Sequence, residues 1–171
     1  MPSRRQLLAA MLASPLAGCA TTETTTGTVT RMGVTVGVPQ RTGDPIDASV
    51  VVLAFEPDRN LVHGEYDPEY VGAAVDDGSL SVSQSIHERL VARFASVRYT
   101  VNVVPDDGRP VNGVVTREAC TALPLGGRAT VAPYVDDGVG HLDVREATPP
   151  DAAPDEVTVE RFDLDDRLDR D

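Results

Sequence analysis

Several residue types are scarce or missing in this 171-residue chain. Lysine and tryptophan are absent, and aromatic residues make up only 4% of the sequence. Acidic residues outnumber basic residues by 27 to 15, which gives a formal net charge of -12. A nucleic-acid-binding surface needs a basic stripe and stacking side chains, so this composition argues against a nucleic-acid partner. No apolar run reaches the roughly 18 residues that a transmembrane helix needs.

Cysteine is also scarce. The chain has only Cys19 and Cys120, so modification of one of them leaves no pair for an internal disulfide. Cys120 is expected to be a small buried residue rather than a nucleophile. Local signatures of catalysis are missing as well: the chain has no Gly-x-Ser-x-Gly or Gly-x-x-x-x-Gly-Lys motif, and His87-Glu88 lacks a second histidine at position 91. The sequence therefore names no reaction and no cofactor.

The chain is rich in acids, arginine and valine. All 15 basic residues are arginines, and 25 valines stand against two isoleucines. An acidic surface without lysine is typical of proteins from high salt, where carboxylates hold water and ions and screening weakens their mutual repulsion. A GC-rich genome is the alternative explanation, because it also replaces lysine by arginine. The valine excess favours strands, since β-branched side chains fit a pleated surface.

The N-terminus has the form of an export signal. Arg4 and Arg5 precede a short apolar stretch that ends in Leu16-Ala17-Gly18-Cys19, and the arginine pair favours the twin-arginine route. The Leu-Ala-Gly-Cys motif resembles the lipobox of prokaryotic lipoproteins, and the chain resembles haloarchaeal lipoproteins of uncharacterised function. The resemblance implies that residues 1–18 are a cleaved signal peptide. It also implies that Cys19 is lipidated and anchors the protein to the outer side of the cell membrane.

A core helix that ends at a buried cysteine is the alternative for this segment, but Pro15 argues against a continuing helix. Residues 19–30 are rich in threonine and predict a tether between the lipidated cysteine and a domain. Removal of residues 1–18 takes away two of the 15 arginines, so that 13 arginines face 27 acids and the net charge becomes about -14. The mature protein is thus expected to be strongly acidic.

Residues 31–147 predict one α+β domain with a mainly antiparallel sheet or a small β-barrel. Apolar alternation predicts a strand from Val29 to Val38, and the continuous apolar run 49–55 predicts a central strand that is buried on both faces. Two helices are expected. Asp67-Pro68-Glu69 predicts the start of a short helix over 68–75, and the four-residue spacing of apolar side chains predicts an amphipathic helix over 81–95.

In the second half of the domain, the pattern of apolar residues predicts further strands at 97–104, 111–116, 128–135 and 139–146. Asp-Asp-Gly joins the last two of these strands, which is a strong hairpin signal. The same tripeptide occurs at 76–78, 106–108 and 136–138, always 30 residues apart. Turn chemistry explains this spacing more simply than a duplicated unit does.

The C-terminal segment 148–171 is acidic and poor in aromatics, with nine acids and three arginines. This composition predicts a disordered tail. Val157 and Val159 offer an alternative, because their alternation fits one additional edge strand.

The best metal candidate is formed by His63, Glu65 and Asp67. Alternate residues of an extended chain lie on one face about 7 Å apart, and an imidazole with two carboxylates suits a divalent ion. A solvated strand face is the alternative explanation in so acidic a chain. An enzyme that uses these groups should bring His63 or His141 beside carboxylates in a cleft.

Residues 111–146 resemble the strand–turn–strand segment of small SH3-like or OB-like barrels, on the pattern Val114-Val115-Thr116 followed by Leu123-x-Leu125-Gly126-Gly127. That resemblance implies binding rather than catalysis. The leading function hypothesis is therefore a non-catalytic, membrane-anchored envelope lipoprotein that binds a protein partner or a small ligand. The alternative is a small hydrolase or metal-dependent enzyme that uses acidic residues around His63.

Overall fold

A computed structural model describes residues 23–169. It is an α+β fold with an eight-stranded, mostly antiparallel sheet and a small two-stranded sheet, which confirms the predicted fold class. The helices are α1 (Pro68–Val71), α2 (Gln84–Arg93), α3 (Arg117–Ala122) and α4 (Leu164–Leu168). The strands are β1 (Thr25–Val38), β2 (Ile46–Glu56), β3 (Leu61–Tyr66), β4 (Val75–Asp76), β5 (Ser79–Leu80), β6 (Ser96–Val104), β7 (Val111–Val115), β8 (Arg128–Asp136), β9 (Val139–Thr148) and β10 (Glu156–Arg161).

Strands β1, β6, β7, β9 and β8 form a partly closed, barrel-like ring. They lie side by side in that order, and β8 returns to pair with residues 25–28 at the start of β1. By their order in the chain, the ring strands are β1, β6, β7, β8 and β9. In space β8, β1, β6 and β7 lie side by side, so the fourth strand returns to lie beside the first. This is the spatial order of a Greek key. The third and fifth, β7 and β9, run parallel at Val114 and His141.

Strand β1 changes partner along its length. Residues 25–28 pair with β8, and residues 31–38 pair with β2. The register of β1 against β6 shifts between Val29 and Arg31, which is where the change of partner occurs. A bulge bends and twists a strand locally. The shift at this point therefore lets one strand close the ring and also carry the open extension β2–β3–β10.

Valine is the commonest residue of the core. The most completely buried side chains are Met32, Leu53, Leu90 and the valines at 29, 34, 36, 50, 51, 71, 82, 103 and 131. The amphipathic helix packs on this core as predicted, although α2 is shorter than the expected 81–95. Ser83 caps its N-terminus and Phe94 ends it. Its predicted apolar stripe, Val82, Ile86, Leu90 and Phe94, is buried throughout.

Two of the three Asp-Asp-Gly sites are hairpin turns. Asp77 and Gly78 have φ of 45° and 74°, and Asp137 and Gly138 have φ of 47° and 79°. Positive φ at both central positions is the mark of a type I′ turn. The predicted hairpin between β8 and β9 is thus confirmed. The third site has a different role, because Asp106 accepts two hydrogen bonds from Arg128.

Three segments differ from expectation. Residues 25–30 belong to β1 rather than to a tether, because residues 25–28 pair with β8 and residues 28–29 pair with β6. Residues 156–161 form β10, which pairs in parallel with β3 and adds the edge strand that Val157 and Val159 offered as the alternative to disorder. Helix α3 was not predicted. Its six residues are too few to show a helical period, and Thr116 caps its start.

Candidate binding groove on the sheet

The face of the large sheet that points away from the core carries side chains in cross-strand rows. In one row Arg31 of β1 lies between Ala54 of β2 and Asn102 of β6, and Asn112 of β7 follows. The neighbouring row consists of Val52, Gly33, Thr100 and Val114. Register thus brings residues from four strands together, although they lie far apart in the sequence.

A cavity of about 480 Å³ opens on these two rows, and we call it the central groove. It is lined by Arg31, Met32, Gly33, Thr35, Ser49, Val52, Thr100, Val101, Asn102, Asn112, Gly113, Val114 and Gly140. None of these residues is acidic, although acids outnumber bases by 27 to 15 in the chain. Its volume falls within the range of about 300–1,000 Å³ that small-molecule sites occupy.

Arg31 is the only charged residue in the groove lining. It is exposed and forms no ion pair or side-chain hydrogen bond with the part of the chain that the structure describes. Other strand arginines are paired: Arg98 with Asp47, Arg128 with Asp106 and Arg145 with Asp143. A guanidinium has five N–H donors and no acceptor. The N–H donors of Arg31 are therefore available to a ligand.

A chain of side-chain hydrogen bonds lies beside Arg31. Thr30 Oγ1 donates to Asn102 Oδ1 over 2.9 Å, and Asn102 Nδ2 donates to Asn112 Oδ1 over 2.6 Å. These bonds fix the orientation of both amides. Within residues 23–169, Asn112 Nδ2 is left without a protein acceptor. The groove therefore presents a second donor to a ligand.

The floor of the groove is made of small and apolar residues. A Cβ atom at Gly33 would lie 2.9 Å from the carbonyl oxygen of Val51, so a side chain is excluded there. Val52 and Ala54 on β2 are only half-buried. The apolar run 49–55 was expected to be buried on both faces. Instead one face packs on the core, and the other is left open as the groove floor and its margin.

A second cavity, of about 460 Å³, adjoins the first and shares Arg31 and Val52 with it. Unlike the central groove, it is lined by carboxylates, those of Glu65 and Glu160. His63 also lines it, and His63 Nε2 lies 3.2 Å from Glu56 Oε1. The two cavities therefore differ in charge, and the acid-free one is the better seat for a ligand that carries negative charge.

The three residues of the predicted metal site do not converge on one point. His63 pairs with Glu56, and Glu65 pairs with Arg167, whose two terminal nitrogens lie 2.7 Å from the two carboxylate oxygens. Asp67 is buried and accepts hydrogen bonds from three backbone N–H groups. In residues 23–169 no group of three or more histidine, cysteine or acidic side chains is placed to hold a metal ion.

The pairing of Glu65 predicts a pH effect. Hydrogen bonds from Arg167 hold the pKa of Glu65 below its ordinary value of 4.5. The pair therefore stabilises the fold above pH 4.5, and its contribution is lost as the pH falls through the lower pKa of the folded state. Both side chains are more than 40% exposed, so the contribution should be about 0.5 kcal/mol or less.

Titration of the Glu65 carboxyl carbon by NMR measures this effect. Arg167→Gln should raise the pKa of Glu65 towards its ordinary value. Arg59→Gln is the matched control, because Arg59 pairs with Glu56 instead. An unchanged titration in Arg167→Gln would show that the ion pair does not form in solution.

Cys120 is buried, as the sequence predicts, and has no disulfide partner in residues 23–169. Burial raises the pKa of its thiol to about 12. The reactive thiolate is thus suppressed near neutral pH. The neighbouring Tyr99 is also held in the core, and its hydroxyl lies 2.7 Å from His87 Nδ1. Both side chains belong to the hydrophobic core.

None of the groove residues was predicted from the sequence. A signal for them was present, because Thr100 and Asn102 alternate with the apolar side chains of Tyr99, Val101 and Val103 in β6. That alternation places Thr100 and Asn102 on the outer face. It does not show that Arg31 lies beside them, because strand pairing decides that.

Comparison with known proteins found no match among protein-family models, curated proteins or solved structures. In the described part of the chain, no helix is long and apolar enough to cross a membrane. The geometry and charge of the central groove are thus the basis for a functional conclusion.

Proposed function

We propose that this chain is an exported, lipid-anchored, non-catalytic binding protein on the outer side of the cell membrane, and that its ligand occupies the central groove. One observation carries the proposal. In a strongly acidic chain, this cavity has no acidic lining residue and one arginine that is unpaired within residues 23–169. An uncompensated cation beside oriented amides is the arrangement that a binding site for a polar ligand needs.

The connectivity of the ring supports the same face by analogy of fold. A five-stranded, partly open Greek-key barrel is the description of the OB fold, in which ligands bind on the second and third strands. Here those strands are β6 and β7, and they contribute Thr100, Asn102 and Asn112 to the groove. The connectivity agrees with the OB-like resemblance of residues 111–146. A fold by itself names no ligand.

The lining of the groove favours binding over catalysis. It includes the hydroxyl groups of Thr35, Ser49 and Thr100, but no carboxylate, histidine, cysteine or tyrosine that could act on them as a general acid or base. Hydrolysis of a sugar linkage, for example, uses a pair of carboxyl groups about 5–9.5 Å apart. No such pair lines the central groove.

His63 lines the second cavity and pairs with Glu56, and this pairing is the observation that favours the enzyme alternative. The side chains of both residues are more than 40% exposed, so water competes for their hydrogen bonds. Thr158, the hydroxyl residue directly opposite His63, donates to Glu156 and is not aligned with the histidine as a nucleophile. Glu65 has a lowered pKa, whereas a general acid at neutral pH needs a raised one. The binding function is therefore preferred.

The start of β1 limits how far the domain stands from the membrane. With Cys19 as the lipid site, only the five residues 20–24 separate the anchor from Thr25. Five extended residues span at most about 18 Å. The proposed anchor therefore keeps the domain near the lipid headgroups.

Anchoring is tested by replacing the lipidated residue. Cys19→Ser should release the protein to the medium or leave an uncleaved precursor, because serine has no thiol to accept the lipid. The measurement is cell fractionation with mass spectrometry of the mature chain, and Thr24→Ser serves as the control. Unchanged membrane retention and unchanged mass in Cys19→Ser would contradict the lipid anchor.

The groove is tested by filling it. Thr100→Phe adds a ring at the centre of the cavity and should abolish binding of the native partner, which is captured from membranes at native salt. Val91→Phe is the matched control, since Val91 is 53% exposed on α2 and lies outside the groove. Equal capture by the two folded variants would mean that the groove is not the binding site.

A further inference from the structure

We propose that the ligand of the central groove is an oligosaccharide that carries a carboxylate, such as a chain of hexuronic acid units. This inference rests on the proposed function, which makes the groove the binding site. The Arg31 guanidinium receives the carboxylate. Asn112, Asn102 and Thr100 meet the ring hydroxyls, and Val52 and Val114 contact the apolar faces of the sugar rings.

The charge of the molecule restricts where an anionic ligand can bind. Acidic side chains repel such a ligand over most of the surface, and the second cavity presents Glu65 and Glu160 to it. The central groove presents Arg31 and no carboxylate. An arginine can hold a carboxylate through two parallel hydrogen bonds, which adds geometric specificity to the attraction.

The high salt that the acidic composition predicts would strengthen the case for direct contact. At 1 M salt the screening length is about 3 Å, so charges act only on groups that they touch. Recognition of an anion in such a medium needs a donor at contact distance rather than a diffuse positive field. Arg31 is such a donor, because it lines the cavity and is exposed.

The other lining groups suit a ligand rich in hydroxyls. Threonine and serine hydroxyls and asparagine amides can both donate and accept hydrogen bonds, as sugar hydroxyls do. An extended peptide would need free backbone groups of a sheet edge. The two strands at the centre of the groove, β1 and β6, are paired on both sides and offer no such edge. No aromatic residue lines the groove, so neither bases nor sugar rings find an aromatic platform, and the sugar rings would lie on Val52 and Val114 instead.

The experiment measures binding to the mature chain in molar potassium chloride by calorimetry and by amide NMR. The probes are a tetramer of galacturonic acid and the same tetramer with every carboxyl group methyl-esterified. The acid should bind and shift the amide signals of Gly33 and Gly113 in the groove. The ester, which keeps the hydroxyls but lacks the charge, should bind about tenfold or more weakly, because a charged hydrogen bond is lost.

Arg31→Gln should weaken binding of the acid by the same factor and leave binding of the ester unchanged. Arg109→Gln is the matched control, since it removes the same charge from a loop outside the groove, and it should bind like the wild type. The NMR spectrum of each variant reports its folding, and the signals of Gly33 and Gly113 locate binding in the wild type without any substitution.

The outcomes separate this inference from the proposed function. Equal binding of acid and ester at Gly33 and Gly113 would show that the groove does not recognise the carboxylate and that it binds neutral sugars. Binding of neither tetramer would overturn the sugar class, and the capture experiment with Thr100→Phe would then decide whether the groove binds another ligand. Acid binding that survives Arg31→Gln would overturn the role of that arginine.

Discussion

The mature domain from Ala20 onward is expected to be partly unfolded in dilute buffer and to fold cooperatively in molar potassium chloride. Its 13 arginines face 27 acids, a net charge of about -14. Within residues 23–169 the only buried charged residue is Asp67, so the other acids repel one another near the surface. Raising the salt from 0.1 M to 1 M shortens the screening length from about 10 Å to about 3 Å and removes most of this repulsion.

The core has little free energy to set against that repulsion. Valine is its commonest residue, and each valine buries one methylene fewer than leucine, a difference of about 0.8 kcal/mol. Folded domains are stable by only about 5–15 kcal/mol. The surface ion pairs are also screened by salt, but exposed pairs contribute only about 0–1 kcal/mol each. When salt is added, the stability gained by screening the repulsion between acids should therefore exceed the stability lost from the ion pairs.

Circular dichroism against potassium chloride concentration measures this transition. A variant with Asp44, Asp107 and Asp155 replaced by asparagine should fold at lower salt, because it carries three fewer negative charges. These three side chains are exposed. An unfolding midpoint that barely moves between low and molar salt would contradict the halophilic interpretation. The missing lysines would then reflect genome composition alone.

Replacement of Asp67 by alanine should destabilise the fold by about 3 kcal/mol, through loss of bonds to a buried carboxylate and of a helix cap. Asp67 is 3% exposed. Its Oδ1 accepts from the backbone N–H groups of Glu69 and Tyr70, over 2.8 and 3.3 Å. Its Oδ2 accepts from Leu164 N over 2.7 Å. This carboxylate therefore joins the end of β3 to the starts of α1 and α4.

Asp67→Asn separates the capping of α1 from the hydrogen bond that Leu164 N donates. Asparagine keeps one oxygen, which can still cap α1, but it turns an N–H₂ group towards the N–H of Leu164. The C-terminal segment should then loosen while α1 stays in place. Hydrogen exchange of the amides in β10 would report this, and urea unfolding in molar salt would give the loss of stability in Asp67→Ala.

Asp163→Ala is the matched control. Asp163 also caps a helix, but it is exposed and accepts only from Asp166 N, so its loss should cost about 1 kcal/mol. If Asp67→Ala is no more destabilising than Asp163→Ala, then Asp67 is a simple cap rather than a buried junction.

Local patterns in the sequence predicted much of the secondary structure. The spacing of Val82, Ile86, Leu90 and Phe94 predicted the buried stripe of α2, and Asp67-Pro68-Glu69 predicted the start of α1. The hairpin at 136–138 followed from the positive φ that Asp and Gly tolerate. Each of these signals lies within a few residues of the structure it specifies, so each could be read without knowledge of the rest of the fold.

The structure of the C-terminal segment and the partners of His63 and Glu65 could not be predicted without tertiary contacts. Composition predicted a disordered tail after residue 148, but β3 offers a free edge that β10 covers, and Asp67 accepts a hydrogen bond from the segment that follows β10. Alternation correctly placed His63 and Glu65 on one strand. It could not show that Glu56 and Arg167 pair with them, because those partners come from other elements.

The sequence by itself determined the α+β class and the strong negative charge, and it is the sole basis of the export and lipidation signals that we propose. These properties depend on composition or on short repeating patterns. Only the tertiary structure decided that β1 closes a five-stranded ring and that Arg31, Thr100, Asn102 and Asn112 share one acid-free groove. The pairing register of β1, β6 and β7 sets those neighbours, and register is fixed by contacts between residues distant in the chain.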